Sequence, residues 1–162
     1  MITVRKAIAL DTSSMARLLN DIIDEGGTTA LTRQVTGPDV QEWMAYDPNR
    51  SAWHVALDSA EEVQGFQWVE PREGLPADAC DISTFVKIGK TGLGIGSALF
   101  DATKQAAATL GYGWINANIR ADNEGGLIYY QSRGFRDYGH IENYVLESGQ
   151  VVDKVLKRYD IK

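Results

Sequence analysis

Residues 90–100 read KTGLGIGSALF, three glycines spaced two apart that run straight into a helical pattern. Upstream, CDISTFVKI (80–88) has the β-branched and apolar content of a strand. Downstream, Ile95, Ala98, Leu99, Ala102, Ala106 and Leu110 hold one face at helical spacing over 94–110, Gly111 stops the helix, and WINANIR (114–120) alternates as the next strand. Strand, glycine turn, helix and strand make a crossover unit, with two parallel strands and a right-handed connection. The start of such a helix carries unpaired N–H groups and partial positive charge, and glycines let an anion reach them with no Cβ in the way. Lys87 and Lys90 can add charge beside it. Taken alone, the segment either turns the chain or cradles a phosphate.

Three common phosphate motifs fail. A dinucleotide fingerprint places its third glycine on Ser97, and the following strand ends in Arg120 rather than in an acid that could hold a ribose. A Walker A loop ending at Gly89-Lys90-Thr91 would need glycine at Thr84. The companion motifs of a kinase glycine loop are absent.

The rest of the chain builds one α/β domain over 1–162, in the order β-α-α-β-β-β-α-β-α-β-β. ITVRKAI (2–8) alternates as a strand. Asp11 or Thr12 then caps a helix with Met15, Leu18, Leu19, Ile22 and Ile23 on one face, and DEGGTTALT (24–32) breaks it. GPDVQEWMAYDP (37–48) is a short helix, WHVALD and VQGFQWVEP form a hairpin, and 72–79 is a loop. A short helix over 123–133 ends at Gly134, and a last hairpin turns at Ser148-Gly149. A net charge of −6 argues against nucleic acid or an acidic membrane as the main partner. The lone Cys80 excludes an internal disulfide and cysteine-based zinc sites, so no metal is expected. No apolar run approaches the roughly 20 residues of a spanning helix, and the N-terminus reads as a strand rather than a signal peptide. The expected location is the cytoplasm.

A second motif, NEGGLIYYQSRGF (123–135), weighs toward the cradle. Together the two stretches resemble the GNAT superfamily of N-acetyltransferases. The first family motif, V-x-x-x-x-[R/Q]-x-x-G-x-G, is met by Val86, Gly94 and Gly96, with Thr91 in place of the usual Arg or Gln. The second, N-x-x-[small]-x-x-x-Y-x-x-x-G-F, is met at every interval by Asn123, Gly126, Tyr130, Gly134 and Phe135. TTALT before PDVQEW, and the tail ESGQVVD, are similar to the phosphinothricin acetyltransferase and L-amino-acid N-acyltransferase subgroup, although Val151 stands where a Trp is common.

The resemblance implies a mixed, largely antiparallel twisted sheet of six or seven strands with about four helices. Its central parallel strands splay apart at their C-terminal ends to admit acetyl-CoA. The implied reaction is direct attack of a small molecule's primary amine on the thioester, with a protein N-terminus or lysine as the alternative acceptor. A non-catalytic acyl-CoA-binding module is the alternative of another class. The implied cofactor contacts are Val86, Lys87, Thr91, Gly92, Leu93, Gly94, Ile95, Gly96, Ser97, Asn123 and Tyr130, and a homodimer is expected.

Tyr130, a phenol of pKa about 10, suits protonation of a departing thiolate; its other reading is a core aromatic. Tyr129 is expected to be a bystander. Asp81, five residues before Val86, stands where several family members carry a glutamate base; its other reading is an exposed strand acid. Residues 81 and 86 face opposite sides of a regular strand, so a β-bulge between them is expected. Asn123 is either a helix cap or a cofactor contact. Cys80, His54 and His140 read as ordinary structural residues. Of Trp43, Trp53, Trp68 and Tyr144, one or two are expected in an amine pocket.

Overall fold

The computed structural model describes all residues 1–162. Its strands are β1 (Thr3–Lys6), β2 (Ala52–Leu57), β3 (Val63–Glu70), β4 (Ala79–Val86), β5 (Trp114–Arg120), β6 (Arg136–Val145) and β7 (Val151–Asp160). The helices are α1 (Thr12–Glu25), α2 (Gly37–Ala45), α3 (Ile95–Thr109) and α4 (Glu124–Ser132). One seven-stranded sheet runs β1-β2-β3-β4-β5-β7-β6, antiparallel throughout except for the β4–β5 pair. No helix is long and apolar enough to cross a membrane.

Each face of the sheet has its own core. On one, Met15, Leu19 and Ile22 of α1 and Val40 of α2 pack on Trp53, Val55, Phe66 and Trp68, with Phe85 against them. On the other, Phe100 and Ala107 of α3 and Tyr130 of α4 pack on Cys80, Ile82, Ile115 and Ile119. The apolar face of α1 is the one its periodicity marks. Its start differs from expectation: the Asp11 carboxylate accepts from Arg5 and from the Ile8 N–H, and a 3-10 turn at Ala9–Asp11 leads into the helix.

The feature that positions the site is the β4–β5 pair. It is parallel, as the crossover requires, but only Ala79–Asp81 pair with Trp114–Asn116. From Ile82 to Val86, β4 has no partner on that side, and β5 continues along β7 instead. The strands splay, as the resemblance implies.

The expected bulge between Asp81 and Val86 does not exist. The β3–β4 register is continuous from Gly65↔Val86 to Glu70↔Asp81. Register shifts fall at Ala56/Leu57 and twice in the β6–β7 pair. The bulge is also unnecessary. Lys87 donates its N–H to the Gln64 carbonyl at 2.8 Å. In an antiparallel ladder the neighbouring Val86 then turns its N–H and carbonyl the other way, in the plane of the sheet and into the gap. Asp81 can present its side chain to one face while Val86 presents backbone to the gap.

Candidate active site

The gap opens into a cleft of about 1370 Å³. Its walls are the free side of β4, the loop before α3, the near side of α4, the α1–α2 loop around Thr28–Leu31, and Arg72 after β3.

At one end lies the glycine loop. Gly94 is the N-cap of α3 and sits in the left-handed region at φ 83°, as does Gly92 at φ 81°; no atom lies within 4 Å of where a Cβ on either would stand. The first N–H groups of α3 therefore face open space with no capping side chain, the arrangement an anion needs. Lys90, Thr91 and Ser97 line the cleft with these glycines. Three expected contacts have side chains directed elsewhere. Lys87 is exposed off the cleft, Leu93 is 64% exposed, and Ile95 is buried against Ala56 and Leu99. Only backbone is on offer at 93 and 95.

Gly96 is glycine for a different reason. A Cβ there would stand 2.6 Å from Cε1 of Tyr129 and 3.1 Å from its Cζ. The Tyr129 hydroxyl donates to the Gly96 carbonyl at 2.7 Å and accepts from Gln67 Nε2 at 3.0 Å. Tyr129 is thus tied to the start of α3; burial pushes its pKa up to about 12.

Tyr130 lines the cleft from α4, 8% exposed, with its ring held edge-on by Phe135 and its hydroxyl 2.8 Å from Thr84 Oγ1. Burial raises its pKa, so the phenol stays protonated until a strong base is offered. Asn123 caps α4, accepting from the Gly126 N–H at 3.0 Å, and donates to the Thr28 carbonyl, which joins α4 to the α1–α2 loop. It also lines the cleft; the cap reading is what its hydrogen bond shows.

Asp81 is buried and shares its face of β4 with Ser83 and Phe85, opposite to Thr84 and Tyr130. It is not an exposed strand acid. Arg72 Nε donates to one carboxylate oxygen at 2.7 Å and Asn116 Nδ2 to the other at 2.8 Å, while the Tyr138 hydroxyl holds Asn116 in turn. Burial raises the Asp81 pKa, and Arg72 opposes the rise.

Around it are cations that sequence reading missed. Arg120 is 5% exposed, bound to Asp122 and to the Thr29 carbonyl. Lys154 is 8% exposed, with its ammonium 3.7 Å from the Tyr144 ring centroid and no carboxylate within ion-pair distance; burial lowers its pKa. Trp43, Trp68 and Tyr144 all line this end, three where one or two were expected, while Trp53 stacks behind Trp68 at 4.0 Å. The remaining nucleophile and base candidates lie outside. Cys80 is fully buried with its thiol pushed up to about 12, His54 is buried off the cleft, and His140 is exposed on β6. No cluster of three or more His, Cys, Asp or Glu is placed to hold a metal.

The fold as a whole, with its parting β4–β5 pair, superposes on solved structures over nearly the full chain. A phosphinothricin acetyltransferase from Sinorhizobium meliloti, described as a GNAT superfamily member and crystallised with acetyl-CoA, superposes with a TM-score of 0.87 at 20% identity, covering 98% of this chain and 88% of that one. This is the GNAT fold. No family model matches the sequence. Among curated proteins the chain is 27% identical to Bacillus subtilis YwnH, which bears the name of a phosphinothricin acetyltransferase, over 99% of this chain and 95% of the relative. It is 27% identical to the Streptomyces coelicolor phosphinothricin N-acetyltransferase over 85% and 84%. In sequence the chain is similar to proteins named phosphinothricin acetyltransferases, and in fold to a GNAT structure crystallised with acetyl-CoA. The unpaired side of β4 and the start of α3 border the same cleft.

Proposed function

We propose that the protein transfers an acetyl group from acetyl-CoA to the primary amine of a small molecule, an amino acid or an analogue such as phosphinothricin. The observation that carries this reading is the free backbone side of β4 between Ile82 and Val86. It leads from the Gly94 helix start to a walled pocket at Asp81.

In the balanced reaction the amine nitrogen bonds to the thioester carbon, the carbon–sulfur bond breaks, nitrogen loses its surplus protons and sulfur takes one. The protein's part divides along the cleft. Residues 91–97 offer N–H groups and Lys90 to phosphate. The Val86 N–H lies in the sheet plane, where it can stabilise negative charge developing on the acyl oxygen. Tyr130 supplies sulfur's proton from the α3–α4 face. Asp81 accepts the ammonium's proton from the α1–α2 face. Both of its oxygens already carry a donor, so an intervening water is the fitting relay. Lys154, without a carboxylate of its own, supports an acceptor that brings an anionic group. Trp43, Trp68 and Tyr144 wall in an acceptor of small size.

The test is acetyl-CoA-dependent thiol release with amino acids, phosphinothricin, a polyamine and a peptide bearing a free N-terminus. Turnover on an amino acid or analogue is expected. Preference for the peptide would move the reading to protein acetylation. Tight acetyl-CoA binding with no thiol release from any amine would replace the enzyme by a binding module.

A further inference from the structure

We propose that Gln67 and Thr84 are positioning residues that set the direction of the Tyr130 hydroxyl, leaving its proton free to face the cleft. This rests on the reading of Tyr130 as the acid. The constraint begins at a group with no choice: the Gly96 carbonyl can only accept. Tyr129, 2.7 Å away, gives its single proton there. Its oxygen therefore meets Gln67 as an acceptor at 3.0 Å, and the facing atom of Gln67 has to be the amide nitrogen. The second proton of that nitrogen points at Thr84 Oγ1, 2.8 Å away. Either hydroxyl of the Thr84–Tyr130 pair, 2.8 Å apart, can donate; the proposal gives the proton to Thr84, which accepts from Gln67 and donates to the Tyr130 oxygen. Tyr130 is then an acceptor within the protein, and its proton has no protein partner in competition with a ligand in the cleft.

A second observation agrees. Gln67 is fully buried, and its Oε1 has no partner. An apolar side chain at 67 would leave no such orphan. The amide is accounted for by its two protons, one for Tyr129 and one for Thr84. The set joins β3, β4, α3 and α4, so the element that offers N–H groups to phosphate and the residue that offers a proton to sulfur share one hydrogen-bonded framework. A donor aimed at the Tyr130 oxygen also stabilises the phenolate left after the proton departs.

The experiment is steady-state kinetics with acetyl-CoA and one accepted amine on Thr84→Val, Thr84→Ser, Gln67→Met, Tyr130→Phe and the Tyr130→Phe/Thr84→Val double variant. Acetyl-CoA affinity is measured for each by calorimetry. Thr84→Val is expected to lower kcat about tenfold or more with acetyl-CoA affinity kept. Thr84→Ser restores kcat, and Gln67→Met lowers it in the same sense. In the Tyr130→Phe background Thr84→Val adds no further loss, since it acts only through the missing hydroxyl. If Thr84→Val does not fold, Gln67→Met carries the same comparison. A slow Tyr130→Phe beside a Thr84→Val of normal kcat would overturn this inference alone. So would losses that add in full. A Thr84→Val faster than wild type would mean that the Tyr130 hydroxyl donates to Thr84, and would overturn the inference. Full turnover in Tyr130→Phe would instead remove the acid reading itself.

Discussion

Tyr130 and Asp81 reach the gap from opposite faces of the sheet, and burial raises the pKa of both. The consequences differ because the proposed acid works protonated and the proposed base ionised. For Tyr130→Phe the ring keeps its contacts with Tyr129 and Phe135. Stability and acetyl-CoA affinity should hold, while kcat falls by roughly 10²- to 10⁴-fold; steady-state kinetics beside calorimetry checks the separation. The folded-state pKa of Asp81 lies above the ordinary carboxylate value, chiefly through desolvation and against the pull of Arg72. Its contribution to stability is therefore complete below the unfolded pKa and is lost as pH rises through the folded one. A base, in contrast, gains activity over that same window. The prediction is that kcat/KM climbs with pH on a limb displaced upward from the usual carboxylate range, while the Asp81 contribution to melting temperature declines across it. Asp81→Asn should remove both trends. A limb that survives in Asp81→Asn assigns the base elsewhere.

At the scale of elements, two glycines two residues apart divide the work at the start of α3. Gly94→Val puts a β-branched residue at φ 83° where surrounding space is open, so the strain is in the backbone that faces the ligand. Acetyl-CoA binding should be lost with the fold retained by circular dichroism. Gly96→Ala has ordinary backbone but drives a methyl into Tyr129. It should cost about 1–3 kcal/mol by denaturant unfolding and lower kcat more than affinity. Equal effects of the two on binding would mean that Gly96 also belongs to the cradle. The sequence readily showed that α3 begins here, because periodicity and glycine placement are local signals. It could not show that Gly96 answers to a ring 33 residues away. The same limit explains the missed cations. Arg72, Arg120 and Lys154 come from a loop and two separate strands, and nothing in their spacing brings them together. Gln67 and Thr84 look like common strand polar residues until β3 and β4 are laid in register. The expected bulge failed for a different reason: side-chain parity was asked of Val86, whose relevant group is backbone.

On the scale of the whole molecule, the two parts of the sheet, β1–β4 and β5–β7, are joined by a short ladder of three residue pairs and by α3, whose Phe100 packs on Ile115 and Tyr159. A ligand lying along the gap would touch both parts. Binding to the folded state alone at 100 times Kd stabilises by about 2.7 kcal/mol, which for a chain of this size is on the order of 5–10 °C in melting temperature. Acetyl-CoA should give that shift, and hydrogen exchange should slow most at the Thr84 and Val86 amides, whose N–H groups face the gap. A shift without protection on β4 would place the ligand elsewhere. The gap has one more property. Without ligand, β4 is in effect an edge strand inside the sheet, offering unpaired backbone from Ile82 to Val86 beside the apolar Ile82, Phe85 and Val86. Such an edge is a template for a foreign strand, and proteins commonly guard it with charge or proline, neither of which occurs in 82–86. Acetyl-CoA would then serve as a plug as well as a reactant, and cofactor-depleted protein held at high concentration should self-associate through this stretch and recover when acetyl-CoA is returned.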